Sequence, residues 1–386
     1  SANDPALYER TKAVATSLDD SRPTSGTMTR LSTKNWHQDV FAFDDYHAAP
    51  GGNVDIAKPL RGVPYLVTET VGQFNYESGT SFDSKYRRAA DVKLQERQAI
   101  LHAQAHSLGG GYRRLSGVIA WCAFDYGSLI NSYDAVKCAG IADIFRIPKL
   151  GASFYMAQID PEIRPVIEPN FYWEFGPRTP SGPGKRAAIF SNCDRLDVFV
   201  GNKFHAAAKP DRSHFRHVRF PPFFVNLEVD GSGKPELRID GYIGDRHAVS
   251  RRFSSDRTKD HLQAWADDPQ LVADGSDATR LAFQASDEFG AVRPFAHGAV
   301  TLEISGPGLI VGDNPFHLAD SGGAGAVWIK TVAGKSGQVK VVARHSWLGT
   351  QEVKIEVSPQ QYRNAYLPSE CCGRELVRRS IEVEDE

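Results

Sequence analysis

The chain has 386 residues, 45 Lys and Arg against 47 Asp and Glu, a formal charge of −2, and 41% hydrophobic with 24% charged content. That composition describes a folded globular protein long enough for two or three domains. Its basic residues are scattered and give no phosphate-tracking stripe, so nucleic acid is not expected as a partner, and no apolar run approaches the roughly 20 residues of a membrane-spanning helix.

The first residues lack the charged and apolar regions of a secretory signal, so the chain reads as soluble, with cytoplasm, periplasm and exterior all open. Five cysteines, Cys122, Cys138, Cys193, Cys371 and Cys372, are odd in number and lack zinc-ligand spacing. Neither a disulfide framework nor a metal knot is indicated.

Asp4-Pro5 reads as a helix cap followed by Pro at the first helical position, and Tyr8, Thr11, Ala15 and Leu18 at spacings of 3, 4 and 3 predict a helix to about Leu18. Ser21-Arg22-Pro23 stops it. Short apolar runs at 27–30, 40–43, 64–68 and 117–124 predict strands of the buried, parallel type. Between the last two, Tyr86, Ala90, Leu94, Leu101, Ala105 and Leu108 form one stripe closed by Gly109-Gly110-Gly111, so a βαβ crossover is expected. The first 158 residues thus read as parallel α/β with about four strands, where a closed (β/α)8 barrel needs eight. The third run, RGVPYLVTE (61–69), ends on an acid, and acids at the C-terminal mouths of barrel strands are where such enzymes hold catalytic groups, which makes Glu69 the candidate nucleophile.

From about residue 160 the pattern changes to short alternating strands divided by Gly, Pro, Asn and Asp, as in RAAIFSNCDRLDVFVGN (186–202) and PELRIDGYIG (235–244). A β-sandwich over 159–258 is expected. The polar segment 254–269 carries the break to a second all-β unit over 259–358, and 359–386 reads as a charged tail.

Several stretches resemble glycoside hydrolase family 2, the β-galactosidase and β-glucuronidase group. DPALYERTKAVATSLDDSRPTSG, FDDYH, PYLVTETVGQ, GVIAWCAFDYGS and GIADIFRIPKLGASFYM follow one another in the order of the second half of that family's catalytic barrel. IFSNCDRLDVFVGNK and VADGSDATRLAFQASDEFGAV resemble the sandwiches that follow the barrel in bacterial members. The resemblance implies the C-terminal half of a (β/α)8 TIM barrel, then two immunoglobulin-like β-sandwich domains. It also implies a retaining exo-β-glycosidase with two glutamates, of which Glu69 matches the nucleophile. The acid/base, normally an Asn-Glu followed by Ser, is expected to lie just before Ser1, so the isolated chain is expected to be inactive until a missing N-terminal half, or a second copy, covers the open barrel edges.

By the same resemblance Tyr46 matches the hydrogen-bond donor to the nucleophile and Trp121 the aromatic floor of the sugar site. His47, Asp125 and Trp36 are further candidate sugar contacts, although each also suits a bland role as loop histidine, turn cap or core indole. A terminal β-linked galactose is the expected substrate. The sequence has no Asn-x-Lys element for a uronate, and a mannoside stays open. Family members often bind Mg or Na, yet no ligands for either can be transferred, and no cofactor is expected. The competing reading is a non-catalytic carbohydrate-binding or assembly module. Glu77 and the GSGKPE turn at 231–236 carry no function.

Overall fold

The computed structural model describes residues 4–80, 85–128 and 135–360. Most of the expected tail, with Cys371 and Cys372, lies outside them. Among the described residues no helix is long and apolar enough to cross a membrane.

The N-terminal unit is built on a four-stranded parallel sheet in chain order, β1 (Ser25–Met28), β2 (Val40–Asp44), β3 (Tyr65–Glu69) and β4 (Leu115–Val118). Before it runs α1 (Pro5–Leu18), whose Asp4 side chain accepts from the amides of Ala6 and Leu7. The α1 bounds agree with the spacing of its apolar residues. Its burial does not: no α1 residue is buried, and Leu18 stays 84% exposed. β1 begins and ends two residues before the expected run, and β4 is shorter than the run 117–124 because the chain leaves the ladder after Val118. The crossover helix α2 (Val92–Gly110) starts later than the stripe suggests. Asp91 caps it by accepting from the amides of Lys93 and Leu94, which leaves Tyr86 and Ala90 in the preceding loop.

One face of α2 packs on the sheet, where Leu101 and Ala105 meet Phe41, Phe43, Tyr65 and Val67. Gly109 allows the close approach, since a Cβ there would lie 2.3 Å from Val118 Cγ2. A second face is also covered: Gln98 Nε2 donates to the carbonyls of Ala139 and Gly140, and Tyr172 donates to Gln95. Buried glutamines are invisible to a search for apolar periodicity, whereas Leu108, counted in the stripe, is exposed.

Alternation fixes what the other side of the sheet presents. Phe41, Phe43, Tyr65 and Val67 point to the helix layer, so Ala42, Asp44, Leu66 and Thr68 turn to the opposite face. Asp44, Leu66 and Thr68 are half-buried there.

Strands Ile167–Pro169, Gly184–Ser191 and Phe223–Leu227 form one antiparallel sheet, and Arg195–Val200, Lys203–Ala208, Leu237–Ile243 and Arg246–Phe253 another. Ile167, Ile189, Leu196, Phe223 and Ile239 fill the space between them. The next pair of sheets has four and five strands over residues 261–358, around Leu262, Phe283, Val300, Ile329 and Ile355. The polar segment 254–269 is only partly a connector, because His261–Ala266 pairs with Ala278–Ser286 and buries Leu262.

This last pair of sheets is fastened to the N-terminal unit. The Arg88 side chain, 1% exposed, donates to Asp143, to the carbonyls of Ile147 and Pro148, and to the carbonyl of Ser321. Arg280 donates to the carbonyl of Phe145.

Candidate active site

β2 and β3 end side by side, with Asp44 opposite Glu69 and the Asp45 amide donating to the Glu69 carbonyl at 2.7 Å. The chain then turns so that the Tyr46 hydroxyl donates to Glu69 Oε1 at 2.5 Å. Burial first, and then the Glu69 charge, push the Tyr46 phenol up, so it remains a donor. Its ring lies 5.5 Å from that of Phe74, over Gly72. A Cβ on Gly72 would stand 2.8 Å from the Tyr46 hydroxyl, and φ there is +51°. Asp44 accepts from Thr68 Oγ1 at 3.3 Å. Its carboxyl is pushed up to about 6, mainly by burial and next by the Glu69 charge.

Residues 70–72 connect this corner to Trp121. The Trp121 amide donates to the Thr70 carbonyl and its carbonyl accepts from the Gly72 amide. Between them Val71, fully buried, sits at φ 67°, a conformation that costs a β-branched residue about 1–3 kcal/mol and persists only where its surroundings enforce it. They do: the Val71 amide donates to the buried Tyr76 hydroxyl at 3.0 Å. The Trp121 indole N–H donates to the Tyr126 hydroxyl, edge to face at 5.8 Å between centroids. Glu69 lies close enough for its charge to help raise the Tyr126 phenol, after burial.

Glu69, Tyr46 and Trp121 are thus brought to one corner. His47 follows Tyr46 but is turned to Asp45, a fully buried carboxylate that accepts from His47 Nδ1 at 2.6 Å and from the amides of His47 and Ala57. Asp125 faces the interior, its Oδ1 accepting from Lys149 Nζ at 2.8 Å and from the Gly140 amide. Trp36 is at the other end of the strands: its indole donates to the carbonyl of Val40, where β2 begins, and packs edge to face on Phe41. Glu77 is exposed. Asp44, Asp45, Val71, Tyr76 and Tyr126 escaped the sequence reading. Only Asp44 carried a signal, the alternation that puts it on the face opposite Phe43.

Among the described residues no group of three or more His, Cys, Asp or Glu could hold a metal ion. What the corner offers chemically is a half-buried carboxylate with one oxygen bound by a phenol, beside a second carboxyl and an indole.

Residues 262–354 match the model of glycoside hydrolase family 2 C-terminal domain 5. The chain is 30% identical to a β-galactosidase of Thermoanaerobacter pseudethanolicus over 91% of its own length and 46% of that protein. It is 30% identical to a β-galactosidase of Thermoanaerobacterium thermosulfurigenes over 82% of its length and 45% of that one. The chain belongs to glycoside hydrolase family 2. Its fold agrees with that of a family 2 β-glucuronidase, at a TM-score of 0.65 and 18% identity over 94% of this chain and 38% of that one. This family 2 chain therefore spans about half the length of these two β-galactosidases.

Proposed function

We propose that the chain carries the nucleophile of a retaining exo-β-glycosidase acting on terminal β-linked sugars, galactosides first, and that it works together with polypeptide outside these 386 residues. The observation that carries this reading is the Tyr46 hydroxyl on Glu69 Oε1 at the C-terminal end of a parallel strand. In this reading the four-stranded sheet is the second half of a (β/α)8 barrel occupying 1–158. Two immunoglobulin-like accessory sandwiches occupy 159–258 and 259–358, followed by the tail 359–386.

Retaining hydrolysis needs two carboxyl groups about 5–5.5 Å apart. Glu69 attacks the anomeric carbon and forms a glycosyl ester while a second acid, supplied by the missing part, protonates the departing oxygen. The same group then takes a proton from water, which releases the sugar and regenerates Glu69. Tyr46 holds one Glu69 oxygen so that the other faces the sugar. Trp121 offers an indole plane to the apolar face of the ring, and His47, fixed by Asp45, stands near enough in the chain to meet a hydroxyl. Asp125, engaged by Lys149, and Trp36, packed at the start of β2, belong to the framework in this reading. No step is routed through Mg or Na.

The supporting length ratio, 46% of the first relative, leaves room for the other barrel half. A partner strand would also cover β1 and β4, whose outer edges pair with no further strand of this sheet among the described residues. The test joins the chain to the polypeptide encoded ahead of Ser1 and measures turnover of an aryl β-galactoside. The expected outcome is an inactive chain, an active assembly, a covalent adduct on the Glu69 peptide after treatment with a 2-deoxy-2-fluoro galactoside, and loss of about 10⁴-fold or more in Glu69→Gln. An assembly whose Glu69→Gln form keeps full rate rejects the reading, and an assembly without turnover favours the assembly-module alternative.

A further inference from the structure

We propose that Asp44 is a specificity-determining residue of this site, an anionic wall that admits neutral sugars and turns away uronic acids. The inference rests on the Glu69 reading above and asks which glycosides that site accepts.

Three observations carry it. Asp44 lies opposite Glu69 in the β2–β3 register, so the two carboxyls stand at the same level at the ends of neighbouring strands. Strand alternation turns Asp44 to the face away from α2, because Phe41 and Phe43 on its own strand and Tyr65 and Val67 on the next fill the helix-side core. That face holds Leu66 and Thr68 and is roomy beside them: the neighbouring strand contributes Gly117, where an added Cβ would meet nothing nearer than Leu66 Cδ1 at 3.6 Å. Finally, the contacts of Asp44 and Glu69 are hydroxyls, Thr68 for one and Tyr46 for the other, and neither forms an ion pair among the described residues. Lys149 and Arg88 are engaged elsewhere, by Asp125 and Asp143.

A sugar held against Glu69 therefore meets a second carboxyl that can accept from a hydroxyl. A carboxylate on the sugar would meet like charge. Because the Asp44 carboxyl is pushed up to about 6 and can take up a proton instead, such repulsion is limited near pH 7 to roughly 10-fold in binding. The distinction is a live one in family 2, where the relatives by sequence include β-galactosidases and, at 23% identity, a β-glucuronidase, and a structural neighbour is a β-glucuronidase.

The experiment compares kcat/KM for an aryl β-galactoside and the matching β-galacturonide on the assembled enzyme. Near pH 7 the wild-type ratio should favour the galactoside by about 10-fold or more, and Asp44→Asn should narrow it by about 5-fold or more. Asp44→Ser serves as the second variant if Asp44→Asn does not fold. A ratio unchanged within twofold overturns the inference while leaving the Glu69 reading intact. If the assembly shows no turnover, that reading fails and the inference fails with it; the facing of the two carboxyls is tested separately on the 386-residue chain by carboxyl ¹³C NMR. Glu69→Gln should lower the Asp44 titration midpoint because a facing charge has gone; an unmoved midpoint overturns the claim that the two carboxyls confront each other.

Discussion

The parallel sheet and the C-terminal sandwich solve the problem of burial differently. In the sandwich, two sheets close over Leu262, Phe283, Ile329 and Ile355, and each of these is fully buried. The parallel sheet has one such face, toward α2. Its other face leaves Asp44, Leu66 and Thr68 half-covered, and α1 beside it buries nothing. Strands of the buried parallel type expect cover on both sides. The candidate site lies in the region that lacks it, and the best-packed region contains no candidate residue.

That contrast can be broken most sharply from the sandwich side. Phe283→Ala removes a ring enclosed by both sheets and should cost about 3–5 kcal/mol, seen as a shifted urea midpoint with an unchanged slope; a loss below about 1 kcal/mol would mean that the sandwich is no tighter than the parallel sheet.

Acid tests the N-terminal unit through its helix layer. His102 and His106 on α2 both contact the Tyr155 hydroxyl at 3.0 Å. Burial pushes them down to about 3 and about 4, His102 also feeling His106 and Lys149. Because the folded state lowers these values below the ordinary 6.5, it holds the rings neutral. The stability this gives is full above pH 6.5 and is lost as pH falls toward 4 and then 3. Between pH 7 and pH 5 the loss should be on the order of 2–4 kcal/mol, and His102→Gln should flatten the slope measured by denaturant titration at several pH values.

A smaller effect concerns the corner itself. Tyr46→Phe removes a hydrogen bond to a carboxylate and should lower kcat/KM of the assembled enzyme by about 10- to 100-fold, with the melting transition of the chain nearly in place. The smallest is the most telling. Leu66→Ala on the half-covered face should cost only about 1 kcal/mol in the chain alone, and more once a complementary half covers that face. An equal cost in both would show that this side of the sheet needs no cover.

Residues with strong local signals were legible from sequence. Asp4 and Pro5 mark the start of α1, and alternation in RLDVFV marks Arg195–Val200. Glu69 was visible as an acid ending an apolar run, and its pairing with Tyr46 through the family resemblance. What stayed hidden depends on tertiary partners. Asp45 looks like its neighbour Asp44, yet one is buried among amides and the other faces Glu69. Asp125 resembled a sugar ligand because nothing local announces Lys149, 24 residues away. Val71 at positive φ contradicts the preference of its side chain, and tertiary partners such as the Tyr76 hydroxyl and the Trp121 bridge hold it there.

The buried guanidinium of Arg88 has a practical consequence for anyone trimming this protein. Cutting away the last sandwich would delete the Ser321 carbonyl and unroof a cation whose remaining ligands, Asp143 and the carbonyls of Ile147 and Pro148, sit in one loop. Stripping part of the shell from an enclosed charge is destabilising, so a shortened version would be damaged in its N-terminal half, far from the scissors. The sandwich serves as a keystone, and truncation series that treat it as a detachable ornament would mistake collapse of the loop for loss of a chemical group.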